Sequence, residues 1–157
     1  MEATVSIGHG VEAGVPRLAE SAIAEDIGLL LAKVHAVGSV LNNRALGEFG
    51  LRERSYSVLR LACSGLEPTQ RELADFLSLD PSQIVALIDE LEQRGLVARE
   101  QGRTDRRQKI VLATPAGERL HAQAEAALTA CESEQFAALT TDEVGSLRAL
   151  LQRALWG

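Results

Sequence analysis

The chain has 157 residues, a length that suits one compact core with an added interface layer. Hydrophobic residues make up 46% of it and charged residues 24%, a balance typical of globular rather than disordered proteins. No apolar run approaches the roughly 18–20 residues that span a bilayer. The first residues lack the basic and apolar regions of a secretion signal. We therefore expect a soluble, cytoplasmic protein that does not associate with membranes.

The net charge of −6 is distributed unevenly along the chain. Residues 52–114 hold ten basic and ten acidic residues, so the excess negative charge lies outside this segment. Between Arg94 and Lys109 there are six basic residues against two acidic ones. A locally basic stretch on an acidic chain predicts a small surface for a nucleic acid.

The N-terminal third is predicted to be helical after a short leader. Residues 1–16 contain three Gly and one Pro without periodicity, which predicts a flexible leader. Apolar residues recur at helical spacing over residues 18–46 and predict one long helix there. A second helix is expected at about residues 55–64.

Two capping signals mark the next pair of helices. Thr69 and Glu72 form a capping box, in which each side chain accepts a hydrogen bond from the backbone N–H of the other residue. Asp80 supplies an N-cap and Pro81 follows it at a position that needs no N–H, while Gly95 marks the end of that helix. Two short helices joined by a few residues predict a helix-turn-helix, with the second as its recognition helix.

A change of period after Gly95 indicates a hairpin. Residues 96–100 and 108–113 are short strand-like runs on either side of a polar turn. The Thr114-Pro115 pair then opens a helix to about residue 138, and a capping box at Thr140 opens the last one.

This order of elements predicts a mainly α fold. We expect a winged helix-turn-helix core at residues 51–114, with a small β-hairpin as its wing. Long N- and C-terminal dimerisation helices are expected to flank the core, at residues 17–50 and 115–157.

The predicted recognition helix has two distinct faces. An apolar face starting at Ile84 must be buried. The opposite face carries small polar and small apolar residues, namely Ser82, Val85, Ala86 and Asp89, with Gln83 at its edge near the N-terminus. On DNA, Gln83 can pair with adenine, and Val85 and Ala86 can meet thymine methyl groups. An ordinary amphipathic surface helix is the alternative interpretation.

The turn of the hairpin carries Arg103, Arg106 and Arg107 around Asp105. Clustered Arg side chains repel one another unless a negative group approaches, so this turn is expected to reach phosphates or the minor groove. Asp105 is expected to orient an Arg side chain. The cluster argues against the alternative of a degenerate winged helix that binds only proteins.

Residues 69–120 resemble the winged-helix core of the multiple-antibiotic-resistance regulator (MarR) family. The matching pieces are the helix end and strand at 91–97, the wing motif Asp105-x-Arg107, and the Leu112-x-Thr114-Pro-x-Gly117 segment. The resemblance implies a homodimer built from helices of both chain ends, which binds an inverted repeat in double-stranded DNA and acts as a repressor. It also implies that Asp105 and Arg107 shape the wing and that Arg107 enters the minor groove.

The recognition helix departs from the family pattern at Ala86 and Glu90, where relatives often carry basic or polar residues. Its weak charge predicts that phosphate affinity comes from the wing and from arginines elsewhere in the core: Arg52, Arg54, Arg71 and Arg99.

The resemblance further implies control by a small molecule. Many relatives release DNA when a small, often aromatic, acid binds between the dimerisation helices and the winged domain. Polar residues on the first two helices are the candidates for this site, since an Arg or His can pair with a carboxylate: His35, Asn42, Arg44, Tyr56 and Arg60. Structural polar groups are the alternative for each of them.

Other chemistry has weaker support in the sequence. His121 and Glu125 stand at i and i+4, which can hold one edge of a zinc site, but no CxxC or HxxxH pair accompanies them. Cys63 and Cys131 are expected to be small core residues, with a thiol switch as the alternative. No Gly-rich phosphate loop, nucleophile elbow or paired-carboxylate motif appears, so we expect neither enzymatic activity nor a cofactor.

Overall fold

The computed structural model describes residues 15–102 and 107–157. Within them the chain forms seven α-helices, one 3-10 helix and a two-stranded sheet, which confirms the predicted mainly α winged helix-turn-helix. The elements in chain order are α1 (Val15–Ala19), a 3-10 helix (Ala22–Glu25), α2 (Ile27–Gly47), α3 (Glu53–Ala62), α4 (Gln70–Leu77), α5 (Pro81–Gln93), β1 (Val97–Gln101), β2 (Lys109–Ala113), α6 (Pro115–Gln135) and α7 (Thr141–Trp156). None of these helices is long and apolar enough to cross a membrane. The chain divides into two units, with the boundary in sequence between Val37 and Gly38.

The prediction of one helix over residues 18–46 is wrong, because α1, the 3-10 helix and α2 divide this segment. Asp26 has an extended backbone, with ψ at 118°, and its Oδ1 accepts a hydrogen bond from the N–H of Leu29 at 2.7 Å. An aspartate that caps the following helix competes with continuation of the preceding one. A new helix, α2, therefore begins at Ile27. Of the predicted leader, residues 1–14 lie outside the described residues.

The predicted capping threonines are confirmed. Thr69 Oγ1 accepts from the N–H of Glu72 at 3.2 Å, and a Glu72 carboxylate oxygen accepts from the N–H of Thr69 at 2.7 Å. Thr140 and Glu143 repeat this arrangement, and the Thr114 side chain caps α6. Hydrogen bonds from the capping threonine lower the pKa of Glu72 and likewise the pKa of Glu143. These caps fix where α4, α6 and α7 begin.

The core of the second unit is formed by α3, α4, α5 and the hairpin, with part of α6 packed on it. Ala74 is buried on α4, the helix that packs against α5. The largest fully buried side chains are Leu46, Leu51, Val58, Leu59, Leu73, Ile84, Ile88, Leu91, Val97 and Val111.

The hairpin is antiparallel and is attached to the helix-turn-helix. Val97 pairs with Ala113 at its base, and Gln101 pairs with Lys109 toward the turn. The N–H of Val111 donates to the carbonyl of Pro68 at 2.8 Å, which ties β2 to the chain just before α4. The wing and the two helices before it therefore form one scaffold.

Candidate nucleic-acid interface

Helix α5 buries one face and exposes the other, as its sequence predicts. Ile84, Ile88 and Leu91 have no exposed area. The residues predicted to read DNA are all exposed: Ser82, Gln83, Val85 and Ala86. A helix whose exposed face carries small side chains can approach base edges in the major groove.

Gln83 also has a structural role in the helix. Its Oε1 accepts a hydrogen bond from the backbone N–H of Asp80 at 3.3 Å, so the side chain helps to cap α5. Bidentate pairing with adenine uses both the oxygen and the nitrogen of the amide. Gln83 must therefore leave the cap to read a base in the predicted way.

A shallow groove of about 560 Å³ separates the start of α4 from the second wing strand. Its lining includes Arg71 of α4 and Lys109 of β2. Arg71 is highly exposed, and its Nε lies 3.8 Å from Oδ2 of Asp75. An ion pair this exposed contributes little free energy, so it does not prevent Arg71 from meeting a phosphate.

The described part of the wing places further basic side chains at the surface. Arg107 and Lys109 are exposed at the start of β2, and Arg52 and Arg54 are exposed at the start of α3. The remaining predicted wing residues, Arg103, Asp105 and Arg106, lie outside the described residues.

Arg99, one of the arginines expected to supply phosphate affinity, has its guanidinium paired within the chain. Its side chain on β1 is only 16% exposed and forms ion pairs with Asp89 and Glu92 of α5, each at 2.5 Å. Its Nε also donates to Oε1 of Gln70 on α4 at 2.8 Å. The guanidinium is therefore committed to partners within the chain, which the sequence could not show because these residues are 7 to 29 positions away.

Two of the predicted effector residues, Tyr56 and Arg60, lie one turn apart on α3 and contact α6. The ring of Tyr56 stacks on His121, with centroids 5.7 Å apart and ring planes 6° from parallel. Arg60 pairs with Glu125 at 3.5 Å, and both of these side chains are about half exposed. The cluster of Tyr56, His121, Arg60 and Glu125 therefore has a buried aromatic part and an ionic part at the surface.

The buried part of this cluster contains two polar atoms without a hydrogen bond. Within the described residues, the Tyr56 hydroxyl and His121 Nε2 are the buried side-chain atoms that lack a partner. Burial raises the pKa of Tyr56, with Arg60 opposing and Glu125 adding to the effect, so its hydroxyl remains a neutral donor. Buried polar atoms normally have hydrogen-bond partners, so these two atoms are available to form hydrogen bonds with a ligand or an ordered water. Sequence reasoning considered His121 only as a metal ligand and missed this pairing.

The other predicted effector residues lie elsewhere. The amide nitrogen of Asn42 donates to Oε1 of Glu53 at 3.0 Å, which joins the end of α2 to the start of α3. Arg44 is exposed near the end of α2, and His35 is exposed on the part of α2 that belongs to the first unit.

Among the described residues, the side chains suggested for a zinc site or a thiol switch lie in surroundings that do not favour either chemistry. Glu125, one of the two suggested zinc ligands, is paired with Arg60. In the described part of the chain, no group of three or more His, Cys, Asp or Glu side chains is arranged to hold a metal ion. Burial, aided by Glu118 and Glu125, raises the pKa of the Cys63 thiol, which disfavours the reactive thiolate. Cys131 is half-buried beside the carbonyl of Leu41.

Sequence comparison places the chain among known regulators. The model of the MarR family matches residues 51–109. A protein of Thauera aromatica, assigned as the transcriptional regulatory protein for the hcr operon, is 32% identical over 104 residues. That alignment covers 66% of this chain and 63% of the relative, which is less than two thirds of its length.

Solved structures extend the match over most of the chain. A MarR-family transcriptional regulator from Rhodococcus sp. RHA1 is 42% identical, with a TM-score of 0.80 over 87% of this chain and 98% of that one. CouR from Rhodococcus jostii RHA1, solved with bound p-coumaroyl-CoA, is 44% identical, with a TM-score of 0.79 over 87% and 96% of the two chains.

Proposed function

Because the chain belongs to the MarR family of DNA-binding transcriptional regulators, we propose that it is a homodimeric repressor that binds an inverted repeat, its operator, and releases it when an effector binds. The exposed, small-residue face of α5 beside the basic wing is the observation that carries the proposal. In this role residues 51–114 contact DNA, while residues 17–50 and 115–157 form the dimer. The protein then acts in the cytoplasm, where bacterial DNA is located.

Exposed apolar surface at both ends of the chain supports the dimer. In the first unit Ile23, Ile27 and Leu30 are 63%, 73% and 45% exposed. In the second unit Leu155 and Trp156 on α7 are 70% and 66% exposed. Large apolar side chains exposed in this number typically mark an interface, since their burial contributes roughly 25 cal/mol per Å². A second copy of the chain is the partner that the family relationship favours.

The DNA contacts follow from the placement of the two elements. Helix α5 enters the major groove, where Val85 and Ala86 meet thymine methyls and Ser82 and Gln83 approach base edges. The wing reaches the neighbouring minor groove and backbone through its basic residues and their ordering partner: Arg103, Asp105, Arg106 and Arg107. Arg71 contacts a phosphate at the start of α4.

The effector is an aromatic acid or its coenzyme A thioester. The relative that is 44% identical was solved with p-coumaroyl-CoA, which combines a phenol with an aromatic acyl group. In this chain the Tyr56 hydroxyl and His121 Nε2 supply unused polar atoms beside aromatic rings. The exposed Arg60–Glu125 pair separates at little cost, and Arg60 can then meet an acidic group.

Effector binding at this cluster would alter DNA affinity by moving α3 relative to α6. Helix α3 packs directly on the recognition helix α5, whereas α6 belongs to the region assigned to the dimer. An effector that binds better when these helices are apart selects a dimer with a different spacing between its recognition helices. His35, Asn42 and Arg44 have no observed place in this mechanism.

We expect p-coumaroyl-CoA or a free aromatic acid to weaken operator binding by about 5- to 150-fold, the usual size of such coupling. Fluorescence anisotropy of a labelled operator duplex measures this, with p-coumaroyl-CoA, p-coumaric acid, salicylic acid and coenzyme A as separate titrants. Tyr56→Phe, which keeps the ring and removes the hydroxyl, should bind DNA normally and lose most of the response. Asn42→Ala serves as the matched control and should keep it. Full response in Tyr56→Phe, or none in the parent, contradicts this effector site.

A further inference from the structure

Arg99 occupies a central position in the winged domain. It lies in the middle of β1, opposite Val111 in β2. Its three guanidinium nitrogens donate to different side chains: Nε to Gln70, one terminal nitrogen to Glu92 and the other to Asp89. Its backbone N–H also donates to the Glu92 carboxylate at 3.0 Å. A single residue therefore joins α4, α5 and the wing.

The partners of Arg99 have an electrostatic consequence for the recognition helix. The second half of α5 carries three carboxylates on exposed residues, Asp89, Glu90 and Glu92. DNA presents a dense row of negative phosphates, so uncompensated carboxylates beside it are repelled. The guanidinium is directly paired with two of the three, and both partner side chains are 40–50% exposed.

We infer that Arg99 is a positioning residue for DNA binding, which acts without touching DNA. It neutralises Asp89 and Glu92 and holds the recognition helix at a fixed angle to the wing, so that both elements meet their grooves together. The planar, many-donor guanidinium suits this role, because it binds two carboxylates and an amide in one geometry. This inference rests on the proposed DNA-binding function and adds a residue whose contacts are all internal.

A double-mutant cycle separates this role from a direct phosphate contact. Arg99→Ala is made in the parent and in the Asp89→Asn/Glu92→Gln background. Affinity is measured for an operator duplex selected from a random pool of sequences and for a scrambled duplex. In the parent, Arg99→Ala should weaken operator binding about tenfold or more and reduce discrimination against the scrambled duplex. In the background that lacks the two carboxylates, Arg99→Ala should weaken operator binding only about twofold.

Arg71→Ala is the matched control, because Arg71 is exposed and is assigned to a phosphate. It should weaken binding equally in both backgrounds and on both duplexes. Urea unfolding of every variant shows whether the fold is kept. If Arg99→Ala does not fold, Arg99→Lys replaces it, since lysine keeps the charge but offers only a point contact. Lysine should then give a partial loss that disappears in the same background.

Equal losses from Arg99→Ala in the two backgrounds mean that Arg99 contacts DNA directly, and this contradicts the inference. Unchanged affinity in the parent background contradicts it as well. A parent protein that binds no duplex overturns the proposed function, and the inference with it. The two failures are therefore distinguishable.

Discussion

Arg107→Ala is expected to weaken operator binding by about tenfold or more and to reduce the slope of log affinity against log salt by roughly one. Arg107 is exposed at the edge of the wing, so its removal opens no cavity in the core. The chain has a net charge of −6, and few basic groups are placed to replace a lost groove or phosphate contact. Anisotropy titrations of the operator duplex across a salt series measure both quantities.

Two control variants identify the kind of contact that Arg107 makes. Arg148→Ala removes the same charge from α7, where Arg148 pairs with Glu132 of α6, and should leave DNA affinity nearly unchanged. Gln83→Ala should instead relax the preference at one base pair by about 1–3 kcal/mol, with affinity for bulk DNA almost unaltered. Operator binding by Arg107→Ala that equals the parent at every salt concentration would rule out the assigned role of the wing.

Gly117→Ala is expected to lower the free energy of unfolding by roughly 3 kcal/mol, because it forces a backbone clash. A Cβ at this position would stand 2.0 Å from the carbonyl oxygen of Leu96 and 3.2 Å from a methyl carbon of Leu59. The Leu96 carbonyl cannot move freely, since it accepts a hydrogen bond from the N–H of Thr114 at 3.0 Å. This close approach joins the start of α6 to the base of the wing.

Gly145→Ala is the matched control for this substitution. Gly145 lies within α7, and a Cβ there meets no atom within 4 Å. Alanine should therefore raise the free energy of unfolding by up to about 1 kcal/mol through helix propensity alone. Urea unfolding by circular dichroism, at one fixed protein concentration because a dimer is expected, compares the variants. A Gly117→Ala midpoint equal to that of the parent would show that α6 and the wing are not packed in this way.

Local signals in the sequence were sufficient to predict the helix-turn-helix. Thr69, Asp80 and Gly95 act within one turn of their own position, so the boundaries of α4 and α5 could be predicted to within about two residues. The same reasoning failed at Asp26, where a local cap interrupts an apolar pattern that continues on both sides. Periodicity reports which residues share a face, and it does not report whether the backbone between them is continuous.

In the candidate sites too, features set by local sequence could be predicted, and features set by packing could not. The exposed face of α5 could be predicted, because burial on a helix follows a fixed period. The partners of Arg99 and the stacking of Tyr56 on His121 join residues that are distant in sequence, so they depend on how the elements pack. Asn42, a polar residue predicted to face a ligand, is hydrogen-bonded to Glu53, a partner that the local pattern does not reveal.

Selection of bound duplexes from a random pool, followed by sequencing, tests the central claim most directly. A homodimer with one recognition helix per subunit must impose its two-fold symmetry on the DNA. The selected sequences should share an inverted repeat whose half-site centres lie about one helical turn, roughly 10 bp, apart. Enriched sequences without a dyad, or no enrichment over the starting pool, would contradict the account of this chain as a dimeric winged-helix regulator.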